Sequence, residues 1–248
     1  MRQYKQLKTK KGRSETGLFL VEGEKFVNEI PADWEVVHII VAQRFAEGKH
    51  LSSYKQIAPV EVVRDGLFDS IADTVTPQGI MAVVRQKKWQ LGQLITPDGF
   101  ILIGENLNDP GNIGTLIRTA AAAGASGVIL SAGSGDIYNP KVLRAAAGAA
   151  LRLPIVVDAV LPEVLPEIKK AGYAVYAAHL HGAVLPYNLN LQDSFCFMVG
   201  NEASGLTSEA SALADMMVRL PMKRDTESLN ASIAGGILLY EAVRQRLS

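Results

Sequence analysis

Only one cysteine, Cys196, occurs in the 248 residues, which excludes an internal disulfide framework and any multi-cysteine metal site. No stretch of about 18 consecutive apolar residues is present, so no transmembrane helix is expected. The basic N-terminal stretch "MRQYKQLKTKKGR" has no apolar segment behind it and does not read as a secretory leader. Net charge is lacking as well: 25 Lys and Arg balance 25 Asp and Glu, so bulk charge gives no pointer to a nucleic-acid partner. There is no P-loop and no G-x-S-x-G elbow. "GSGDIY" (133–138) has two glycines of a dinucleotide fingerprint, lacks the third and follows a second strand, which argues against a nicotinamide enzyme. His179 and His181 stand two apart with no third ligand type nearby, so they read as ending a strand and no metal is expected. A reducing, cytoplasmic setting fits the lone thiol.

What is present describes a soluble globular chain, 48% hydrophobic and 20% charged. Residues 1–92 mix strand candidates at 18–23, 35–42 and 79–84 with polar stretches that can hold helices, and read as a small α/β domain. Residues 93–98 lie in a stretch of Gly, Gln, Thr and Pro and read as a linker. From 99 to 248 the rhythm is regular. Apolar strands are expected at 100–106, 127–132, 154–159, 173–178, 195–201 and 216–222, with helices at 112–123, 139–150, 161–171, 208–214 and 228–246. That alternation implies a mostly parallel sheet covered on both faces. In such a sheet the ligand crevice lies outside the carboxyl ends of the strands.

Three loops there carry chemistry. In "NLNDPGNIGTLIRTAAAAG" (106–124), "NDPGN" is turn chemistry and a helix begins near Asn112. Ile113, Leu116, Ile117 and Ala120 make its buried stripe, while Arg118 falls off it beside Gly111, Gly114 and Thr115. A guanidinium on such a face suits an oxyanion or phosphate, although a surface ion pair would also explain it. In "FMVGNEASGL" (197–206) a buried strand ends in Gly200, followed by Asn201 and the lone acid Glu202. That carboxylate can position a hydroxyl or an arginine, or belong to the start of the next helix. In "VRLPMKRDTESLNASIAGG" (218–236), Glu227, Ser228 and Asn230 open a helix whose apolar face is expected to be Leu229, Ile233, Ile237, Tyr240 and Leu247. Gly235 and Gly236 in its middle, at about 1 kcal/mol each against alanine, require a close approach by another backbone or a flat ligand. Outside the loops, Lys8, Lys10, Lys11 and Arg13, with Arg2 and Lys5, precede the first acid, Glu15. They are candidate phosphate contacts, or a solvated terminus.

In this order and spacing, "NDPGNIGTLIRTA", "VGNEASGL" and "LPMKRDTESLNASIAGGILLYEAVRQR" resemble motifs 1, 2 and 3 of the SpoU (TrmH-like) branch of the SPOUT RNA methyltransferases. "YNPKVLRAAAGAALRLPI" is similar to the same family, and "GLFLVEGEKFV" and "TPQGIMAV" to the ribosomal-protein-like RNA-binding domain of many members. The resemblance implies a parallel α/β domain tied in a trefoil knot, a homodimer, and S-adenosylmethionine as methyl donor. It implies methylation of a ribose 2′-hydroxyl in structured RNA, with ribosomal RNA favoured over transfer RNA; a non-catalytic RNA-binding or assembly factor is the reading from another class. By the same resemblance, Asn112, Arg118, Glu202, Ser228 and Asn230 would form the catalytic site. Gly200, Leu220, Met222 and Leu229 would hold the cofactor. An arginine pKa above about 12 makes Arg118 a poor base, so positioning and charge stabilisation is the role expected of it. Motif 1 departs from the family at Ala121, where an acid is usual, and the residues at 146, 147, 150 and 151 are smaller than usual.

Overall fold

The computed structural model describes residues 2–48, 51–223 and 228–247, with the side chains of Arg2 and Gln3 outside the description. Glu227, expected to help open the last helix, lies outside the described residues. The first part of the chain forms α1 (Arg2–Gln6), α2 (Lys10–Thr16), β1 (Leu18–Glu22), α3 (Glu24–Asn28), β2 (Val36–Ala42), α4 (Gln43–Glu47), α5 (Ser52–Ile57), β3 (Val60–Val63), α6 (Asp65–Ile71) and β4 (Ile80–Arg85). Then follow β5 (Phe100–Gly104), α7 (Pro110–Ala123), β6 (Gly127–Ser131), α8 (Pro140–Ala146), β7 (Ile155–Ala159) and α9 (Leu161–Lys170). The last elements are β8 (Ala174–Ala178), β9 (Phe195–Val199), α10 (Ser208–Ala212), β10 (Met216–Val218) and α11 (Ala231–Leu247). By contacts the chain divides into two units, 1–87 with 136–151, and 88–135 with 152–248.

In the first unit the sheet order is β1-β4-β2-β3, antiparallel except for the β2–β3 pair. Its core gathers Ile40, Phe68, Ile71 and Met81. β3 was not legible because Glu61 interrupts its short run. Segment 136–151 belongs to this unit, although chain order sets it between β6 and β7. Here Arg13 departs from the expectation of a phosphate contact. It is 3% exposed, its Nε and Nη2 both lie 2.7 Å from Asp136 Oδ2, and its Nη1 donates to the Leu7 carbonyl at 2.7 Å. Those donors are spent inside the unit, so Arg13 is a structural arginine. Trp34 Nε1 donates to the Leu151 carbonyl at 2.8 Å, and the Tyr138 ring lies 4.4 Å from that of Phe19. Burial pushes the Tyr138 phenol up to about 12, so it stays protonated and serves as a hydrogen-bond donor to the Lys87 carbonyl. The helix expected at 139–150 stops at Ala146, because Ala147 and Gly148 turn left-handed at φ 48° and 79°.

The second unit carries a six-stranded, wholly parallel sheet in the order β10-β8-β9-β5-β6-β7. All six strands expected from the apolar runs are present, although β10 ends at Val218 rather than 222. β5 and β9 are central and buried along their length. Cys196 sits in β9, where burial and then Asp215 push its thiol up and keep it protonated and unreactive.

α7 and α11 pack together beside this sheet. Two expectations for α11 are corrected. It begins at Ala231, not 228, because Asn230 is its cap: Asn230 Oδ1 accepts from the backbone N–H of Ser232 at 2.9 Å and of Ile233 at 3.3 Å. Its buried face is Ala231, Gly235, Leu238, Leu239 and Ala242, whereas Ile233, Ile237 and Tyr240 are 55%, 43% and 51% exposed. The helix is therefore apolar on two sides, and the sequence pattern picked out the outer one. At its far end Arg246 lies 4.8 Å from the Phe100 ring centroid and donates to the carbonyls of Asp98, Leu191 and Asp193 at 2.7, 2.8 and 2.9 Å. This pins α11 under the sheet.

The two glycines of α11 are not equivalent. A Cβ on Gly235 would lie 2.5 Å from Leu116 Cδ2, deep in the α7–α11 contact, while one on Gly236 would meet Thr119 Cγ2 at an ordinary 3.5 Å. Gly235→Ala is expected to lower the unfolding free energy by about 1–3 kcal/mol through overpacking. Gly236→Ala should cost nothing, since helix propensity favours alanine by about 1 kcal/mol. Denaturant titration of both variants checks the difference.

Candidate active site

The carboxyl ends of β5, β8, β9 and β10 lie side by side, and the loops leaving them converge. Pro110 opens α7 at a position that needs no N–H, and Asp109 caps it by accepting from the Asn112 backbone N–H at 2.8 Å. The same cap sets the Asn112 side chain, which is buried. Its Nδ2 donates to Glu202 Oε1 at 2.7 Å, and its Oδ1 accepts from Asn230 Nδ2 at 2.9 Å and Ser232 Oγ at 3.2 Å. One carboxamide thus joins the exits of β5 and β9 to the start of α11. Ser232 Oγ also lies 2.6 Å from Asn230 Oδ1.

Beside this junction lies a cavity of about 380 Å³, within the range of small-molecule sites. Its wall includes Gly200, Glu202, Leu220, Met222, Ser228 and Leu229. The four residues expected to hold a cofactor therefore share one cavity, and two of those expected at the chemistry, Glu202 and Ser228, reach it. Asn112 and Asn230 stand behind Glu202 rather than on the wall. Arg118 does not join them: it is exposed and makes no hydrogen bond or ion pair with the described residues. The loop His179–Gly182 contributes His179, Leu180 and His181 to the same wall, with His179 Nδ1 accepting from the His181 N–H at 3.1 Å. In the sequence these histidines read as a strand end, and the carboxyl end of a parallel strand is where the crevice lies. Among the described residues no cluster of three His, Cys, Asp or Glu can hold a metal ion, and no helix is long and apolar enough to cross a membrane.

The loop between β9 and α10 is drawn tight. Asn201 and Gly205 exchange two backbone hydrogen bonds at 3.1 and 2.9 Å. A Cβ on Gly200 would stand 2.2 Å from the backbone of Gly205 and of Leu206, so only glycine fits where this turn folds back against the cavity. Asn201 Nδ2 donates to the Asn106 carbonyl at 2.9 Å, tying the loop to the exit of β5. Asn106 itself is left-handed at φ 51°, a conformation asparagine tolerates better than most residues.

Residues 99–240 match the model of the SpoU rRNA Methylase family, and residues 1–82 match the MRM3-like substrate binding domain. The chain is 33% identical over 240 residues to the Bacillus subtilis 23S rRNA (guanosine(2553)-2′-O)-methyltransferase RlmP, covering 97% of this chain and 94% of that one. It is 29% identical over 246 residues to a 23S rRNA (uridine(2479)-2′-O)-methyltransferase of Streptomyces viridochromogenes, covering 95% and 86%. Among solved structures, the SpoU methyltransferase AviRb of Streptomyces viridochromogenes in complex with AdoMet superposes with a TM-score of 0.90 at 27% identity, over 100% of this chain and 97% of that one.

The close contact at Gly200 has a direct consequence. Gly200→Ala meets backbone, which cannot swing aside, so its cost is expected at the upper end of the roughly 1–3 kcal/mol of overpacking. It should also open the Asn201–Gly205 turn, seen as lost hydrogen-exchange protection at the Gly205 amide.

Proposed function

We propose, for a chain that belongs to the SpoU rRNA methylase family, that it methylates a ribose 2′-hydroxyl in ribosomal RNA with S-adenosylmethionine as donor. The observation that carries this reading is the Asn112 junction set against a cavity walled by Gly200, Leu220, Met222 and Leu229. The cavity suits the donor's chemistry: apolar side chains for the flat adenosine part, a glycine turn where backbone comes close, and Glu202 and Ser228 for polar atoms. The bound donor supplies an activated methyl on a sulfonium, so a metal is not required.

The chain's own residues have the remaining work: placing the 2′-oxygen in line with the methyl and managing its proton. Glu202, held at 2.7 Å by Asn112, orients the hydroxyl. Asn230 and Ser232 fix the Asn112 amide so that its Nδ2 faces that carboxylate, and Ser228 supports the loop in front. Arg118 steadies the developing oxyanion or an adjacent phosphate, a role that suits a group too basic to accept the proton at neutral pH. The relatives named for guanosine and for uridine of 23S rRNA differ in base and share the 2′-oxygen, which supports reading the sugar as the target.

A homodimer belongs to this reading. Ile233, Ile237 and Tyr240 form an exposed apolar stripe on α11, next to Thr119, whose methyl faces Gly236 and which neighbours Arg118 in α7. A second copy seated there would cover the stripe and bring another chain to Arg118. The threading of the C-terminal strand and helix is read as the family's trefoil knot, supported by the order β10-β8-β9-β5. Residues 1–92 would find the RNA and 99–248 transfer the methyl, with 93–98 between them. The exposed Lys10 and Lys11 would touch RNA backbone, as would Lys8 through the donors left after its Nζ bonds the Ala72 carbonyl at 2.8 Å, in a cytoplasmic setting.

Incubation with labelled S-adenosylmethionine and separate unmodified ribosomal and transfer RNA pools tests the reading. Label on a ribose of the ribosomal pool supports it; label on a base, or on transfer RNA alone, overturns it. Arg118→Ala is expected to bind S-adenosylmethionine like the parent and lose about 10²–10³-fold in transfer rate, the scale for one oxyanion-stabilising group. Ile237→Glu, which puts a charge in the apolar stripe, is expected to give monomers in analytical ultracentrifugation where the parent sediments as a dimer.

A further inference from the structure

Glu105 follows β5 directly and is 6% exposed. A buried carboxylate is costly unless its oxygens are satisfied, and here one residue satisfies both. The Thr207 backbone N–H donates to Oε2 at 2.8 Å and the Thr207 hydroxyl donates to Oε1 at 2.6 Å. The backbone N–H of Glu105 itself donates to the Val199 carbonyl at 2.9 Å. Val199 is the last residue of β9, and Thr207 is the cap of α10, its hydroxyl accepting from the Ala210 N–H at 3.1 Å. These bonds from a single residue close both ends of the loop 200–206. Every residue of that loop, Glu202 among them, lines the cavity. Neither Glu105 nor Thr207 lines the cavity, and the chemistry assigned above uses neither.

We propose that Glu105 is a positioning residue for methyl transfer: its carboxylate clamps Thr207 so that the 200–206 loop keeps the shape that binds S-adenosylmethionine and presents Glu202. The inference rests on the function proposed above. A buried acid placed at a loop's base without contact to the ligand acts only through the loop, which gives it a distinctive signature. Loosening the clamp weakens cofactor binding and leaves RNA binding alone. A role in overall stability would instead lower the active fraction, and so kcat, with both KM values unchanged.

The test measures S-adenosylmethionine affinity by calorimetry, together with KM for cofactor and RNA, in Glu105→Ala, Glu105→Gln, Thr207→Val and Thr207→Ser. Glu105→Ala is expected to weaken cofactor binding at least about tenfold, a loss of one to two hydrogen bonds to a charged group. Glu105→Gln should fall between Ala and the parent, because an amide presents one acceptor where two are needed. If the alanine variant does not fold, Thr207→Val carries the test: it removes one bond to the carboxylate and should raise the dissociation constant several-fold, while Thr207→Ser, which keeps the hydroxyl, restores it. Parent-like cofactor affinity in folded Glu105→Ala, or in Thr207→Val, overturns the proposal. Failure of the parent to methylate RNA while it binds S-adenosylmethionine would sink the proposed reaction instead, since the calorimetric ratios are read without RNA.

Discussion

The carboxamide of Asn112 is where three loops meet. It has one donor face and one acceptor face, and both are used: the nitrogen on Glu202, the oxygen on Asn230 and Ser232. No smaller or purely apolar side chain can join a carboxylate to two donors in this way. Its position follows from the turn just before it, where Asp109 caps α7 and Pro110 takes the first helical position. A short run of turn chemistry therefore sets the angle at which the exits of β5 and β9 and the start of α11 converge.

The rest of the fold serves that convergence. Six parallel strands bring the exits of β5, β8, β9 and β10 to one edge of the sheet, which is why a cavity of about 380 Å³ opens there. α11 must come close to α7 for Asn230 to reach Asn112, and Gly235 against Leu116 permits that approach. Arg246 holds the opposite end of α11 through three carbonyls and two aromatic rings. Gly200 lets the β9 loop double back against the same cavity, and Glu105 closes that loop at its base. Backbone proximity at two glycines and buried polar pairing at two side chains, Asn112 and Glu105, together shape the site.

Much of this was legible in the sequence. Near-continuous apolar runs marked all six strands of the parallel sheet; in β5, β6 and β9 burial along the whole strand leaves no room for alternation, while the edge strands β7 and β10 keep exposed residues within their runs. The motif residues Gly200, Leu220, Met222 and Leu229 do share a cavity. What periodicity missed has physical reasons. α11 carries apolar residues on two faces, so Ile233, Ile237 and Tyr240 looked like a core stripe although Gly235, Leu238 and Leu239 fill that place. Arg13 sits in a run of lysines, and only its partner 123 residues away shows it to be buried. Helix 139–150 was read through an alanine run that Ala147 and Gly148 break by turning left-handed. Glu105 was absorbed into the strand expected at 100–106, which in fact ends at Gly104, and nothing in that run pointed to Thr207, 102 residues on.

The central claim is that Asn112 and Asn230 act as one unit in placing Glu202 for transfer, and a double-mutant cycle tests it most directly. Single-turnover methyl transfer to ribosomal RNA would be compared for the parent, Asn112→Ala, Asn230→Ala and the double variant at saturating S-adenosylmethionine. Strong non-additivity is expected, the double variant being scarcely slower than either single one, as for groups that act together. Rate losses that multiply independently would contradict it.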